Sequence, residues 1–197
     1  MGLEGVKEKK LLYHLTKVSN MENIINYGLL PRRYLLEQGK KFSDVADPQI
    51  ICKREELDLD KYTPFHFHPY SAFDVAVKNT YSTDKFVYIC IKKALAEFNG
   101  FKILKKHPLS QQECVLYEYA EGIKNIDWET MERVGATDEY SRNVKMAECL
   151  TDKCISAELF QCVYVPDIET EQFIKKLFQA KGIMEQPPYV SFQPKWF

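Results

Sequence analysis

Glu148 is the residue of this sequence whose surroundings point most directly to chemistry. It lies within the apolar run Met146-Ala147-Glu148-Cys149-Leu150. Burying an acid costs free energy unless the carboxylate is paired or used, so an acid among apolar neighbours is a candidate for electrostatic or acid–base work.

Three further features contain residue types that ligand binding and catalysis use. His14 is central in a β-compatible segment, where a single histidine more often has a structural role. Lys53 and Arg54 lie in a charged stretch, and such charges are ordinarily solvated. Phe65 and Phe67 alternate with two histidines, so both rings face one side of a strand, ordinarily the core. Each feature alone has an ordinary structural interpretation.

Several common kinds of site have no counterpart in the sequence. It contains no glycine-rich phosphate loop, no HExxH motif and no GxSxG motif, and it has only 8 glycines, which argues against a Rossmann or P-loop site. The 6 cysteines include no CxxC pair, so reduced thiols are expected. A zinc site built from His66, His68 and two cysteines would lack any recognised ligand spacing, and no metal is expected.

Length and composition predict one domain over residues 1–197. The chain has 197 residues, of which 45% are hydrophobic and 28% charged, enough for one full core. No transmembrane run or signal peptide is visible, so we expect no membrane association and a cytoplasmic location. The formal net charge of -1 gives no global indication of nucleic-acid binding, so any DNA contact must come from a local patch.

The patterning of the chain predicts an α+β fold. Strands are predicted at residues 11–16, 65–69, 86–91, 101–104 and 162–165. Helices are predicted from a Ser19–Glu22 capping box to Tyr27, and at 72–79, 94–98, 111–121 and 169–181, while 144–150 fits either type. Residues 32–62 show no clean period and are expected to form a long lid or binding loop, with an irregular helical excursion on the surface as the alternative. Residues 183–197, which contain three prolines, are expected to be irregular.

Taken in order, these segments resemble the DarT family of DNA ADP-ribosyltransferase toxins. The resemblance runs from near the start of the chain to about residue 165. It rests on order and spacing, with a PFxFxP segment followed by a late Ala-Glu segment. The segments are LYHLT (12–16), NIINYGLLP (23–31), Arg54, YTPFHFHPYSAF (62–73), FVYICI (86–91), IDW (126–128) and KMAECL (145–150).

The resemblance implies an ADP-ribosyltransferase-like fold, with a split, curved β-sheet core flanked by short helices and NAD⁺ clamped between the halves of the sheet. NAD⁺ would be the co-substrate, without a metal. The acceptor would be a base in single-stranded DNA, and the partner a macrodomain antitoxin that hydrolyses the modification. The enzyme is expected to be a monomer.

The resemblance also implies roles for individual residues. Glu148 would be the catalytic glutamate and Arg54 the functional arginine of the NAD-covering region, 32–62, steadying the pyrophosphate or the polarised base. His14 and Thr16 would hold the nicotinamide-side ribose and amide, and Phe65 or Phe67 would stack near the nicotinamide. The NAD-binding set would be His14, Thr16, Leu29, Phe65, Phe67 and Ser71, and DNA contacts would come from Tyr140, Arg142 and Lys145.

Two rival hypotheses share the fold, and a third does not. The same glutamate would serve an ADP-ribosyltransferase that acts on protein or RNA. An inactive ADP-ribosyltransferase-like domain would serve as a binding module. An α+β protein of unrelated function would not bind NAD⁺ at all.

Overall fold

The centre of the fold is one open, eight-stranded sheet. The computed structural model describes residues 5–110, 115–134 and 138–197. Within them the strands are β1 (Leu11–Lys17), β2 (Thr63–His66), β3 (Phe86–Lys92), β4 (Lys102–Leu104), β5 (Tyr117–Glu118), β6 (Glu148–Thr151), β7 (Cys162–Val165) and β8 (Tyr189–Phe192). Their spatial order is β5-β4-β6-β2-β1-β3-β7-β8. Neighbours are antiparallel except β7 and β8, which are parallel.

Short helices flank the sheet, and the predicted α+β class is confirmed. The helices of the described residues are α1 (Met21–Tyr27), α2 (Arg32–Glu37), α3 (Pro48–Glu56), α4 (Ala72–Thr80), α5 (Lys93–Phe98), α6 (Tyr119–Asn125), α7 (Trp128–Glu132), α8 (Glu139–Lys145) and α9 (Ile168–Ala180). Single 3₁₀ turns span Val18–Asn20, Pro108–Ser110, Ala157–Leu159 and Pro194–Trp196. None of the helices described is long and apolar enough to cross a membrane.

The weakest junction of the sheet lies between β1 and β2. These strands pair at the single position Tyr13↔His66, whereas β1 and β3 pair at seven positions and β2 and β6 at four. Next to that position, a side chain connects the two strands: His14 Nδ1 of β1 donates to the carbonyl oxygen of Pro64 in β2 at 2.8 Å. The sheet therefore has two well-paired halves with a narrow connection between them.

Strand β3 anchors the hydrophobic core on both faces of the sheet. It lies between β1 and β7, and its first six residues are all buried. Ile89 and Ile91 belong to the larger apolar cluster, while Tyr88 and Cys90 face a second cluster on the other side. A strand covered on both faces needs an unbroken apolar sequence, which explains the run from 86 to 91.

Several local predictions are confirmed. β1, β3, β4 and β7 lie where the alternation and apolar runs placed strands, and α9 fits the amphipathic pattern. At the start of α4, Ser71 Oγ accepts from the Asp74 amide at 3.2 Å, and Asp74 Oδ2 accepts from the Ser71 amide at 2.8 Å. Gly28 ends α1 with a φ of 87°, a conformation that favours glycine.

The capping box predicted at Ser19 and Glu22 is wrong. A 3₁₀ turn precedes α1, and neither residue caps the helix. Asn20, the residue at the start of α1, uses its side chain on another segment. Its Oδ1 accepts from the Ser43 amide at 2.8 Å and its Nδ2 donates to the Ser43 carbonyl at 2.9 Å. These contacts tie residues 32–62, the predicted NAD-covering region and below the covering region, to the turn between β1 and α1.

Residues 32–62 contain helices in place of an uninterrupted loop, which fits the helical alternative for this segment. The short helix α2 and the longer α3 lie at either side of an irregular stretch. Asp47 caps α3 by accepting from the Gln49 amide at 2.8 Å. Arg32 bonds Asp44 and Glu55 at 2.9 and 2.8 Å and so ties the stretch to α3. Ion pairs and polar contacts stabilise these helices. Such contacts leave no periodic pattern of apolar residues, so hydrophobic periodicity does not predict these helices.

Two further predictions need correction. Residues 189–192 form β8 beside β7, so the tail is not irregular there. Residues 111–114 lie outside the described residues, but 117–118 form β5 and the helix begins only at Tyr119. Pairing with β4, reinforced by the ion pair between Lys102 and Glu118 at 2.5 Å, outweighs the local helical preference.

Gly122→Ala is expected to lower the free energy of unfolding by about 1–3 kcal/mol, because it overpacks the contact between α6 and β4. A Cβ at Gly122 would lie 2.3 Å from the Cβ of Ile103 and 2.6 Å from its Cγ1. Alanine favours a helix more than glycine does, so a loss of stability in this variant would be caused by the clash. Urea unfolding measures it, with the exposed Glu121→Ala on the same helix as control. Equal unfolding free energies for Gly122→Ala and Glu121→Ala would contradict the close contact between Gly122 and Ile103.

Candidate active site

A cavity of about 470 Å³ opens at the junction between β1 and β2. Its walls come from these two strands, from α1 and from the covering region, and its polar lining residues include His14, Thr16, Asn20, Arg54, Asp60, Thr63, His66, His107 and Glu148. The size is that of a small-molecule site. The cavity brings together three of the four features singled out in the sequence.

A buried ion pair between Arg54 and Glu148 lies in this cavity. Arg54 Nη1 donates to both carboxylate oxygens of Glu148, at 2.9 and 2.8 Å, and Arg54 Nη2 donates to the Leu59 carbonyl at 3.4 Å. The side chains are only 11% and 5% exposed. The free-energy cost of burying the Glu148 carboxylate is therefore offset by a cation, Arg54, that lies 94 positions away in the chain.

Three elements position the glutamate. Glu148 begins β6, opposite His66 of β2 on one side and Leu104 of β4 on the other. α8 ends at Lys145, so the chain turns directly from that helix into the site. Arg54 reaches the carboxylate from α3. The sequence left 144–150 open between helix and strand, and the structure divides this segment between the end of α8 and the start of β6.

His14 enters the cavity as a neutral side chain. Burial lowers its pKa from 6.5 to about 4, although the hydrogen bond to Pro64 opposes this effect. A carbonyl oxygen only accepts, so Nδ1 carries the proton and Nε2 is left as an acceptor. Thr16 lies on the same strand face and accepts from Asn20 Nδ2 at 3.1 Å. The pair therefore offers a ligand one ring nitrogen and one hydroxyl.

His14 should also make stability depend on pH. Because the unfolded state binds a proton near pH 6.5 and the folded state only near pH 4, the contribution of neutral His14 is complete above 6.5 and is lost as pH falls towards 4. His14→Asn keeps a donor for Pro64 but cannot titrate, so its unfolding free energy should fall less steeply across this window. Chemical unfolding at several pH values tests this, and parallel curves for the two proteins would contradict it.

The stacking role predicted for Phe65 and Phe67 needs correction. Phe65 is 0% and Phe67 1% exposed, and neither lines the cavity. Phe65 packs behind His14 at 5.7 Å between ring centroids, and Phe67 meets Trp128 edge-on at 5.4 Å. A ring with no open face cannot stack on a ligand, so both support the site from the core.

The remaining residues of the predicted NAD-binding set divide in two. Leu29 lines the cavity and forms a bridge with Ile155, with backbone bonds of 2.8 and 3.0 Å. Ser71 does not line it and is occupied as the cap of α4. The aromatic residues that do line the cavity include Tyr27 and Phe73.

Two histidines that the sequence did not single out for this site line the cavity. His66 follows Phe65 in β2 and has a buried Nδ1 without a hydrogen-bond partner. His107 Nδ1 accepts from the Leu109 amide at 3.3 Å, so the neutral ring carries its proton on Nε2. Burial lowers the pKa of His107, while the nearby Glu148 raises it. Alternation in β2 signalled His66, but no local pattern signalled His107.

The predicted DNA-binding residues lie on α8, outside the cavity lining. Tyr140 is 48% exposed, its hydroxyl donates to Asp127 Oδ2 at 3.0 Å, and Lys106 Nζ lies 4.5 Å from its ring centroid. Arg142 is exposed, and Lys145 Nζ donates to the Arg133 carbonyl. The His107 amide donates to the Asn143 carbonyl at 3.0 Å. The helix surface is thus joined to the Glu148 end of the cavity.

The two histidines considered for a zinc site, His66 and His68, lie among the described residues. No group of three or more His, Cys, Asp or Glu side chains among them is arranged to hold a metal ion. His66 and His68 do not share such a group with cysteines. His68 instead meets two backbone carbonyls, those of Pro69 at 3.1 Å and Lys145 at 3.0 Å.

Solved structures of the DarT type share this fold. Thermus sp. 2.9 DarT in complex with ADP-ribosylated ssDNA matches with a TM-score of 0.80 and 19% identity, covering 96% of this chain and 97% of that one. The same protein in complex with NAD⁺ matches with a TM-score of 0.75 and 17% identity, covering 96% and 98%. Thermosipho africanus DarTG in complex with ADP-ribose has a TM-score of 0.76 and 22% identity, covering 96% of this chain and 51% of that one.

Sequence comparison gives the family directly. A DNA ADP-ribosyl transferase–DNA ADP-ribosyl glycohydrolase fusion protein from Thermosipho africanus is 25% identical over an alignment of 195 residues that covers 93% of this chain. The chain spans about half (50%) of that relative's length. The family model described as ssDNA thymidine ADP-ribosyltransferase, DarT, matches residues 13–197. The resemblance stated from the sequence is therefore confirmed, and the chain belongs to the DarT family.

Proposed function

We propose that this chain is an NAD⁺-dependent mono-ADP-ribosyltransferase that modifies a base, by family thymidine, in single-stranded DNA. The observation that carries the proposal is the Arg54–Glu148 pair, which places a buried carboxylate in a cavity of ligand size at the divided sheet. An ion pair built only for stability would not need an adjoining open cavity. The family of the chain supports NAD⁺ as the co-substrate.

The chemistry assigns Glu148 an electrostatic role first. When the bond between ribose and nicotinamide breaks, positive charge develops on the sugar, and a carboxylate bound to a ribose hydroxyl stabilises that charge. Nicotinamide leaves with the bonding electrons, and a base nitrogen forms the new bond to the same carbon. The proton of that nitrogen has to leave, and Glu148 is the acceptor that we propose.

Arg54 orients this carboxylate and supplies the positive charge of the covering region. Its guanidinium binds both oxygens of Glu148. It can keep that contact through one nitrogen while another steadies an anionic oxygen of the pyrophosphate or the polarised base. Arg54 and Glu148 are therefore the two catalytic residues of the proposal.

The NAD⁺ side of the site comprises His14, Thr16 and Leu29. His14 Nε2 is an acceptor and suits a ribose hydroxyl, because a hydroxyl is a donor that neutral imidazole can bind. Thr16 adds a second polar group on the same strand face, and Leu29, which follows Gly28 at the end of α1, lines the cavity. Phe65 holds His14 in place from the core at 5.7 Å.

The DNA side comprises α8 and the segment bonded to it. Tyr140 is an exposed ring on which a base can stack, and Arg142 and Lys145 add positive charge. His107 links this surface to Glu148, and its Nε2–H can donate to a carbonyl oxygen of a base that enters the cavity. A short contact surface of this kind needs few positive charges, which suits a chain with a net charge of -1.

A toxin role follows from the same assignment. The Thermosipho relative is a fusion of a DNA ADP-ribosyl transferase with a DNA ADP-ribosyl glycohydrolase. A macrodomain antitoxin that hydrolyses the modification is therefore the partner we propose for this chain, which we expect to act as a monomer.

Incubation with NAD⁺ and matched acceptors tests the proposal. Oligonucleotides of DNA that differ in one base, the RNA counterparts and a mixed protein substrate are compared by mass. Only thymidine-containing DNA should gain one ADP-ribose. Gain on RNA or protein alone would establish the rival acceptor, and no turnover despite NAD⁺ binding would establish the inactive binding module.

The DNA surface has its own matched variants. Tyr140→Ala and Arg142→Ala should weaken transfer to DNA about tenfold each and leave NAD⁺ affinity unchanged, because both residues lie outside the cavity lining. Lys176→Ala, an exposed change on α9, is the control. Unchanged transfer in all three variants would remove α8 from the DNA-binding surface.

A further inference from the structure

Two cysteines lie directly opposite each other on neighbouring strands. Cys90 of β3 is paired with Cys162 of β7 in antiparallel register. Side chains of opposed residues share a face, with Cα atoms about 4.5–5.5 Å apart. A disulfide requires Cα atoms about 4.4–6.8 Å apart, so the register meets this requirement without movement of the backbone. Both residues belong to the apolar cluster on the sheet face opposite His14.

The two thiols differ in their chemical character. The Cys90 thiol donates to the Tyr88 carbonyl oxygen at 3.8 Å. The facing Cys90 thiol lowers the pKa of Cys162, whereas burial raises the pKa of Cys90 well above its usual value. Thiolate is the reactive form, so Cys162 is the nucleophile of the pair.

The two cysteines also differ in how close they lie to solvent. Cys162 is one wall of a shallow depression of about 320 Å³, shared with Lys10, Lys92 and Tyr164. Cys162 is 5% exposed, whereas Cys90 is 0% exposed and does not line the depression. Of the two thiols, Cys162 is therefore the one that borders a space a small oxidant can enter. Cys149, also buried, faces Phe65 and Ile103 in its register and has no opposed thiol there.

We propose that Cys162 is an oxidation site for hydroperoxides and that Cys90 resolves it to a reversible disulfide between β3 and β7. The Cys162 thiolate attacks one peroxide oxygen, the oxygen–oxygen bond breaks, and the leaving hydroxide takes a proton to become water. Cys90 then attacks the sulfenic sulfur, and a second water leaves. In sum, two thiols and one hydrogen peroxide give one disulfide and two waters, with both sulfurs oxidised and the peroxide reduced.

Peptide mapping of the full chain after treatment with hydrogen peroxide tests this site. The wild-type protein should lose the mass of two hydrogen atoms, carry a cross-link between the peptides of Cys90 and Cys162, and regain both thiols with dithiothreitol. Cys90→Ala should stop at the sulfenic acid, trapped on Cys162 by a dione reagent. Cys162→Ala should leave Cys90 unmodified.

Cys149→Ala is the matched control, since it removes a buried thiol of the other cluster and should leave the cross-link intact. If Cys90→Ala does not fold, the cross-link in the wild-type protein decides alone. Persistence of the Cys162 thiol while the exposed Cys52 and Cys154 are oxidised would overturn the proposal. Oxidation of Cys162 without a bond to Cys90 would overturn it equally.

Discussion

Glu148→Gln is expected to lower the rate of ADP-ribose transfer about 100- to 1000-fold, the range found when one preorganised electrostatic contact is removed. Glutamine preserves the shape of the side chain and one hydrogen-bond acceptor. It removes the negative charge that faces the developing positive charge on the ribose, and it removes the proton acceptor. Single-turnover rates of transfer and of nicotinamide release measure the loss.

The control for this variant is Glu158→Gln, an exposed glutamate on the turn after β6. It makes the same chemical change outside the cavity and should retain full activity. Thermal unfolding of both proteins separates catalysis from folding. A folded Glu148→Gln protein with wild-type transfer would show that the reaction does not use this carboxylate.

Arg54→Met is expected to cost about 3–5 kcal/mol of folding free energy, because it leaves the buried Glu148 carboxylate without its cation. Arg54 and Glu148 are only 11% and 5% exposed, so solvent cannot replace the lost contact. Transfer should fall about 100-fold as well, since the carboxylate loses its fixed orientation. Urea unfolding and the transfer assay measure the two losses.

Lys53→Met on the same helix is the matched control. Lys53 pairs with Glu56 across one helical turn, and an exposed pair of this kind is worth about 1 kcal/mol or less. The double variant Arg54→Met/Glu148→Gln should recover part of the stability lost in Arg54→Met, because no unpaired charge remains. Strict additivity of the two single variants would mean that the two residues do not stabilise each other.

Elements with a strong local pattern could be predicted from the sequence. The apolar run of β3 and the amphipathic face of α9 are dictated by what each element buries, and burial leaves a period in the chain. Glu148 was identifiable for the same reason, because an acid in an apolar run requires a partner. The identity of that partner was not predicted: the family resemblance gave Arg54 a role on the pyrophosphate or the polarised base, and no local pattern connects residues 94 positions apart.

The remainder depends on contacts that no local pattern encodes. Alternation predicted a strand over 65–69 with Phe65 and Phe67 on one face, but β2 spans Thr63–His66, so Phe67 lies beyond its end, and both rings lie in the core. The helix α3 is charged and held by ion pairs, so hydrophobic periodicity misses it. His107 enters the site through the segment that follows β4, and only the pairing of β4 with β6 brings it there.

The central claim is that the chain transfers ADP-ribose from NAD⁺ to a DNA base through Glu148. The most direct measurement is the intact mass of a single-stranded oligonucleotide with one thymidine, after incubation with NAD⁺ and either the wild-type protein or Glu148→Gln. The account predicts a gain of one ADP-ribose with the wild-type protein and none with the variant over the same time. An unmodified oligonucleotide with both proteins, or equal modification by both, would contradict it.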